Sequence, residues 1–255
     1  MSDANLIELI DADVTHQTSQ AVVLRAVSWQ IAPGDFWVIG GAPGSGKSSL
    51  LATAAGLQAP AGGTLRILGR ALTESTEAEQ IAWRRSIGFV FANGGRLLHH
   101  LTVAENVALP LEYHLEQDPA QTAARVEELL TRAELLPLAE AMPSRLSVRL
   151  QQRASLMRAL AVPTRVLFLD DPLSGLAPRE ARWWLDLLAE LRAQAQAVGQ
   201  PLTVVISCGD FRDWIETATH FGVIEGDRFR ALGGRKHVLA SKAAAVRELL
   251  DERNN

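Results

Sequence analysis

Short apolar runs alternate along the chain with longer segments of helical period, the pattern of a largely parallel sheet covered by helices. Phe36-Trp37-Val38-Ile39 reads as a strand and the stretch from Ser48 to Ala52 as a helix. Leu65 to Leu68, Ile87 to Phe91, Val166 to Leu169 and Leu202 to Ile206 are further strand patterns. Thr102 to about Tyr113 and Pro119 to Ala133 are rich in good helix formers. The second opens on Asp118-Pro119, a capping acid before a first-turn proline. Leu146 to Ala161 predicts another helix, and Pro178 opens a long one to about Gln196. Residues 92 to about 160 hold no strand pattern. The expected fold is α/β: a core from 1–91 and about 161–255, with an inserted helical subdomain over about 92–160. The first 35 residues and the tail from Phe221 alternate in short stretches, which predicts a small antiparallel sheet and a closing helix.

Composition narrows the class. The 255 residues are 47% hydrophobic with a net charge of −4, enough for a sizeable core and no general attraction to nucleic acid. The single cysteine, Cys208, excludes a disulfide framework and reads as a small core residue. Residues 1–5 lack a basic segment leading into an apolar one, so no signal peptide is expected. No apolar run reaches the roughly 18 residues of a membrane span. Trp183-Trp184 on the long helix predicts one ring in the core and one toward solvent or a neighbour. His99-His100 reads as a surface loop and Arg84-Arg85 as a solvated helix end. Lysine is scarce: only Lys47, Lys236 and Lys242 among 25 basic residues.

Lys47 falls in the strongest chemical signal. Gly41-Ala42-Pro43-Gly44-Ser45-Gly46-Lys47-Ser48 matches G-x-x-x-x-G-K-[ST] in full, between a predicted strand and a predicted helix. Glycines let backbone N–H groups wrap a phosphate, the helix N-terminus adds positive charge, and Lys47 reaches the β- and γ-phosphates. The Ser48 hydroxyl is placed to ligate Mg²⁺. Downstream, Val166 to Leu169 deliver Asp170 to the carboxyl end of a core strand, where such sheets bind ligands. Asp170 is the candidate for the Mg²⁺ hydration shell and Asp171 for the attacking water. The motif predicts a nucleotide-binding protein.

With the phosphate loop, Ile87 to Phe91 before Leu101 to Val107, Leu146-Ser147 with Gln151-Gln152-Arg153, Asp170-Asp171-Pro172 and Gly226-Asp227-Arg228, the chain resembles the ATP-binding subunits of ABC transporters over nearly its whole length. The resemblance implies a P-loop core with a small antiparallel β-subdomain and a helical insert. It implies ATP and Mg²⁺ as ligands and nucleotide contacts from Gly41 to Ser49. It also implies a second cassette, as homo- or heterodimer, and a membrane permease that places the subunit on the cytoplasmic face of the membrane. His16 is the nearest candidate for the aromatic that stacks on adenine.

The departures from the family pattern fall on its catalytic parts. Where relatives read LSGGQ, the chain has Leu146-Ser147-Val148-Arg149-Leu150, so two glycines of the signature segment are lost. The Q-loop glutamine aligns with Ala92, and the water-polarising glutamate with Asp171, one methylene shorter. No histidine stands in Ile206 to Asp210, and Ser174-Gly175-Leu176-Ala177 lacks the family's acid. Each catalytic group contributes about 10²–10⁴ in rate, so the pattern predicts Mg-ATP binding with weak or lost hydrolysis. The alternative is a nucleotide-sensing regulator rather than a transport motor. Asn93 to Leu98, Ala141 to Ser147 and Ala245 to Asp251 are similar to the Mla-type phospholipid-transport branch.

Overall fold

The computed structural model describes residues 5–115 and 118–251. It divides into two compact units, Met1–Arg84 with Asp170–Asn255, and Arg85–Leu169. In the first, β1 (Ile7–Thr15), β2 (Val22–Ile31), β4 (Gly62–Ile67) and β5 (Arg70–Ala71) form an antiparallel sheet in the order β2-β1-β4-β5. Bulges interrupt β1, and Gly63, at φ +72°, lies where any Cβ would overlap the backbone of Asp11.

Strand β3 (Phe36–Gly40) is buried along its whole length. It pairs in parallel with β8 (Thr203–Cys208) on one side and β9 (His220–Glu225) on the other. A strand with both faces covered reads as a continuous apolar run, which is why β3 and β8 show no alternation in sequence. The tail hairpin departs from the expected arrangement. Rather than joining the antiparallel sheet, β9 pairs with β3, and β10 (Arg228–Gly233) folds back on β9 through the Gly226-Asp227 turn. Period-two patterning identifies a strand but not its neighbour, so the sequence leaves that choice open.

Trp29 of β2 packs edge-on against Trp37 of β3, centroids 5.4 Å apart, and against Phe229 of β10 at 5.2 Å. This aromatic group joins the antiparallel sheet to the parallel strands. Helices α1 (Lys47–Ala54), α2 (Glu77–Arg85), α6 (Pro178–Ala197), α7 (Arg235–Ala240) and α8 (Ala244–Glu248) complete the unit. On α6, Trp184 is buried and Trp183 partly exposed, as adjacent helical positions require. Both Arg84 and Arg85 are exposed at the end of α2, and Cys208 is buried.

In the second unit, β6 (Ile87–Val90) and β7 (Val166–Asp170) pair in parallel, and no strand lies between them among the described residues. Helices α3 (Val103–Leu115), α4 (Pro119–Arg132) and α5 (Val148–Leu160) fill the interval. Helix α4 starts at Pro119 as the sequence predicts but without the expected cap, and α5 starts later than expected. Asp118 occupies the N-cap of α4, yet its side chain makes no capping hydrogen bond, leaving Pro119 as the local start signal. Helix α5 begins at Val148 rather than Leu146, because Ser147 takes the N-cap and accepts from the Leu150 amide at 3.4 Å. His99 and His100 are exposed in the loop before α3.

The fully buried Asn106 organises that loop. Its Oδ1 accepts from the Leu98 amide at 2.8 Å, and its Nδ2 donates to the carbonyls of Leu98, Leu101 and Thr102. Arg158 of α5 adds a bond to the Gly95 carbonyl at 2.9 Å. An Asn106→Leu substitution preserves volume but strands several buried backbone groups. We expect it to cost about 2–4 kcal/mol in urea unfolding. A loss below about 0.5 kcal/mol would show that water replaces the amide without penalty.

Candidate nucleotide-binding site

The loop from Gly41 to Ser48 connects β3 directly to α1. Gly46 takes the N-cap of α1 at φ +98°, and Gly44 sits at φ +76° with open space where a Cβ would stand. A Cβ on Gly41 would lie 2.7 Å from Ser45 Oγ. The glycines thus let the backbone turn tightly around the Ser45 side chain. Its Oγ is buried and has no hydrogen-bond partner among the described residues, an orphan hydroxyl of the kind a bound anion satisfies.

Lys47 bends back over this loop. Its Nζ donates to the Gly41 carbonyl at 2.6 Å and to the Ala42 carbonyl at 3.0 Å. Burial holds its pKa below the ordinary lysine value, against the opposing pull of Asp171, Cys208 and Asp170. Asp170, at the end of β7, is buried with its Oδ1 accepting from Ser207 Oγ at 2.6 Å. Asp171 has a left-handed backbone at φ +50°. Burial raises its carboxyl pKa, Lys47 opposes the rise, and Asp170 reinforces it. Ser48 is exposed in the first turn of α1, while Ser49 turns into the interior.

Of these residues, Gly41, Ser45 and Asp171 line a cavity of about 800 Å³ whose walls also include Ser174, Gly209 and Trp214; Lys47, Ser48 and Asp170 lie outside that lining. At its root, Gly40 has no room for a Cβ, because Leu249 and the Phe211 ring close on it. The Leu249 carbonyl accepts the Phe211 amide at 2.8 Å. Cys208 also lines the cavity, its thiol pushed far above the usual range by burial. Gly209 stands exposed at the end of β8.

His16 lies on the exposed turn after β1 and spends its Nδ1 accepting from the Thr18 and Ser19 amides, both at 3.3 Å. The neighbouring Gln17 side chain reaches the Ser48 carbonyl at 3.4 Å, so this turn does lie beside the start of α1. In the other unit, Ser147 caps α5, Val148 is 53% exposed and Arg149 is exposed beside it; Ala92 is half-buried after β6. The sequence reading missed Ser207. Its signal was a hydroxyl near the end of a strand buried along its whole length.

Residues 24–174 match the family model described as ABC transporter. The chain is 35% identical over 223 residues to the sulfate/thiosulfate import ATP-binding protein CysA of Caulobacter vibrioides, covering 86% of this chain and 62% of that protein. The protein of the same name from Synechocystis is 33% identical, with 93% of this chain and 64% of that protein covered. The chain thus spans less than two thirds of these relatives. Among solved structures, the ATP-binding cassette MJ0796 in a dimeric state bound to ADP and Pi superposes with a TM-score of 0.77 at 28% identity, over 89% of this chain and 99% of that one. The cbiO1 protein of Clostridium perfringens, part of the cbiONQ transporter complex, shares the fold at a TM-score of 0.75 and 22% identity, covering 93% of this chain and 92% of that one. With the α/β fold of that cassette, the phosphate-loop geometry and a family model spanning more than half its length, the chain belongs to the ABC transporter family.

Proposed function

We propose that the chain is the ATP-binding subunit of an ABC transporter, binding Mg-ATP at the Gly41–Ser48 loop. The observation that carries this reading is the loop itself: an open backbone cradle, an orphan Ser45 hydroxyl, and Lys47 turned onto the loop's own carbonyls. Phosphate oxygens are better acceptors for that ammonium than neutral carbonyls, so Lys47 exchanges Gly41 and Ala42 for the β- and γ-phosphates. Ser48 and Asp170 are the residues that would hold Mg²⁺, which supplies neutralisation of phosphate charge. The dimeric cassette MJ0796 supports pairing with a second cassette, and the transporter complex containing cbiO1 supports a membrane permease as partner. The relatives are named for sulfate and thiosulfate import, which favours an import system. They lend no support to the phospholipid branch.

In this reading hydrolysis is weak. Asp171 is a short carboxylate whose charge is disfavoured by burial, and Gly209 brings no imidazole to the cavity. On α5, the side chains of Val148 and Arg149 stand out where glycines would let a backbone approach a partner's nucleotide. Purified protein should bind Mg-ATP, lose that binding in Lys47→Ala, and show turnover at least about 10²-fold below that of an intact cassette assayed alongside. Steady-state ATPase at ordinary transporter rates, abolished by Lys47→Ala, would overturn the weak-hydrolysis reading. Asp171→Glu combined with Gly209→His should raise the rate. Purification from membranes separates the alternatives, since a subunit brings its permease and a nucleotide-sensing regulator does not.

Lys47 also makes a prediction for the nucleotide-free protein. Its folded pKa lies below the ordinary value, so between that lowered value and about 10.5 the unfolded chain holds more protons. Raising the pH through this window therefore favours the folded state. The stability of the wild type relative to Lys47→Met should rise from pH 7 toward pH 10 in urea titrations. A flat or falling difference would contradict the burial of the charge.

A further inference from the structure

Strand β8 carries two buried hydroxyls with different partners. Thr203, at its start, accepts the Gly34 amide at 2.9 Å and donates to the Ala32 carbonyl at 3.3 Å, tying down the approach to β3. Ser207, near its end, is fully buried and faces the two acids. Its Oγ donates to Asp170 Oδ1 at 2.6 Å and accepts the Asp171 amide at 3.0 Å, while its carbonyl lies 3.1 Å from the same amide.

One residue therefore holds the carboxylate of Asp170 and the backbone of Asp171 together. A serine hydroxyl has a single proton to give. With the Asp171 amide occupying a lone pair, that proton is directed onto Asp170 Oδ1. Asp170 Oδ2 makes no hydrogen bond to protein among the described residues. The two bonds on the Asp171 amide also secure a left-handed conformation that a non-glycine residue keeps only when its surroundings fix it.

We propose that Ser207 is the positioning residue of the Mg²⁺ site. It fixes the rotamer in which Asp170 presents its second oxygen, and it sets the direction in which Asp171 leaves the strand. The assignment rests on the reading of the loop as a Mg-ATP site. Partners that orient a ligating group from behind typically change metal affinity 10–100-fold when removed, so Ser207 governs the Mg²⁺-dependent part of nucleotide binding and leaves the loop's own grip untouched.

The test is equilibrium binding of ATP to the full chain in excess Mg²⁺ and in EDTA, for wild type, Ser207→Ala, Ser207→Thr and Ser207→Val. Threonine and valine match in volume and differ in the hydroxyl. We expect Ala and Val to lose about 10–100-fold in Mg²⁺-dependent affinity with EDTA affinity unchanged, and Thr to behave as wild type. Equal Mg²⁺ dependence in Thr and Val, beside a competent wild type, would overturn the assignment alone. Parallel losses in Mg²⁺ and EDTA, or failure of the Ala and Val variants to fold in a thermal melt, would mark a purely structural hydroxyl and also overturn it. If the wild type binds no ATP, or binds it without Mg²⁺ dependence, the reading of the site fails and takes this assignment with it.

Discussion

A lysine ammonium partly withdrawn from water and turned onto its own loop sets the terms for the rest of the site. Such a charge is tolerated only with several acceptors and opposite charges close by. Lys47 has the Gly41 and Ala42 carbonyls as acceptors and feels the fields of Asp170 and Asp171. Meeting that requirement takes groups from distant parts of the chain. The parallel register that sets Gly40 opposite Cys208 brings the loop and the end of β8 level, and the Ser207–Asp170 bond ties the acids to the same height. The burial of β3 supplies the rigidity, since a floor that moved would release the cation to solvent.

Legibility in the sequence followed the range of the interaction. The loop was readable because its chemistry is local: eight consecutive residues carry the glycines, the lysine and the serine, with strand before and helix after. Asp170 was readable because four apolar residues announce the strand that ends in it. Ser207 was not, because its role depends on which strand lies beside β8, and pattern alone does not choose neighbours. The tail hairpin failed for the same reason, being recognisable as strands while its pairing with β3 stayed hidden. The start of α4 shows another limit: an aspartate in the right place lacks the capping bond that its position suggests.

The surroundings of Lys47 and of Asn106 use polar burial differently. Around Lys47, buried polar groups are left partly unsatisfied or strained, as the Ser45 hydroxyl and the Asp171 backbone show. Around Asn106 the amide is almost saturated, its oxygen and both donor positions engaged with the backbone of one loop. Incomplete satisfaction belongs where a ligand arrives; complete satisfaction belongs where a loop is to be held in a single conformation.

Leu249 closing on Gly40 joins residues far apart in the described chain, and its carbonyl fixes Phe211 just beyond β8. Contacts so remote in sequence close late, because the intervening chain must first lose its freedom. The motif's chemistry is complete within eight consecutive residues, but the packing beneath it is complete only with residues as far along as Phe211 and Leu249. A loop whose identity is spelled out locally thus takes its shape from a distant stretch of chain.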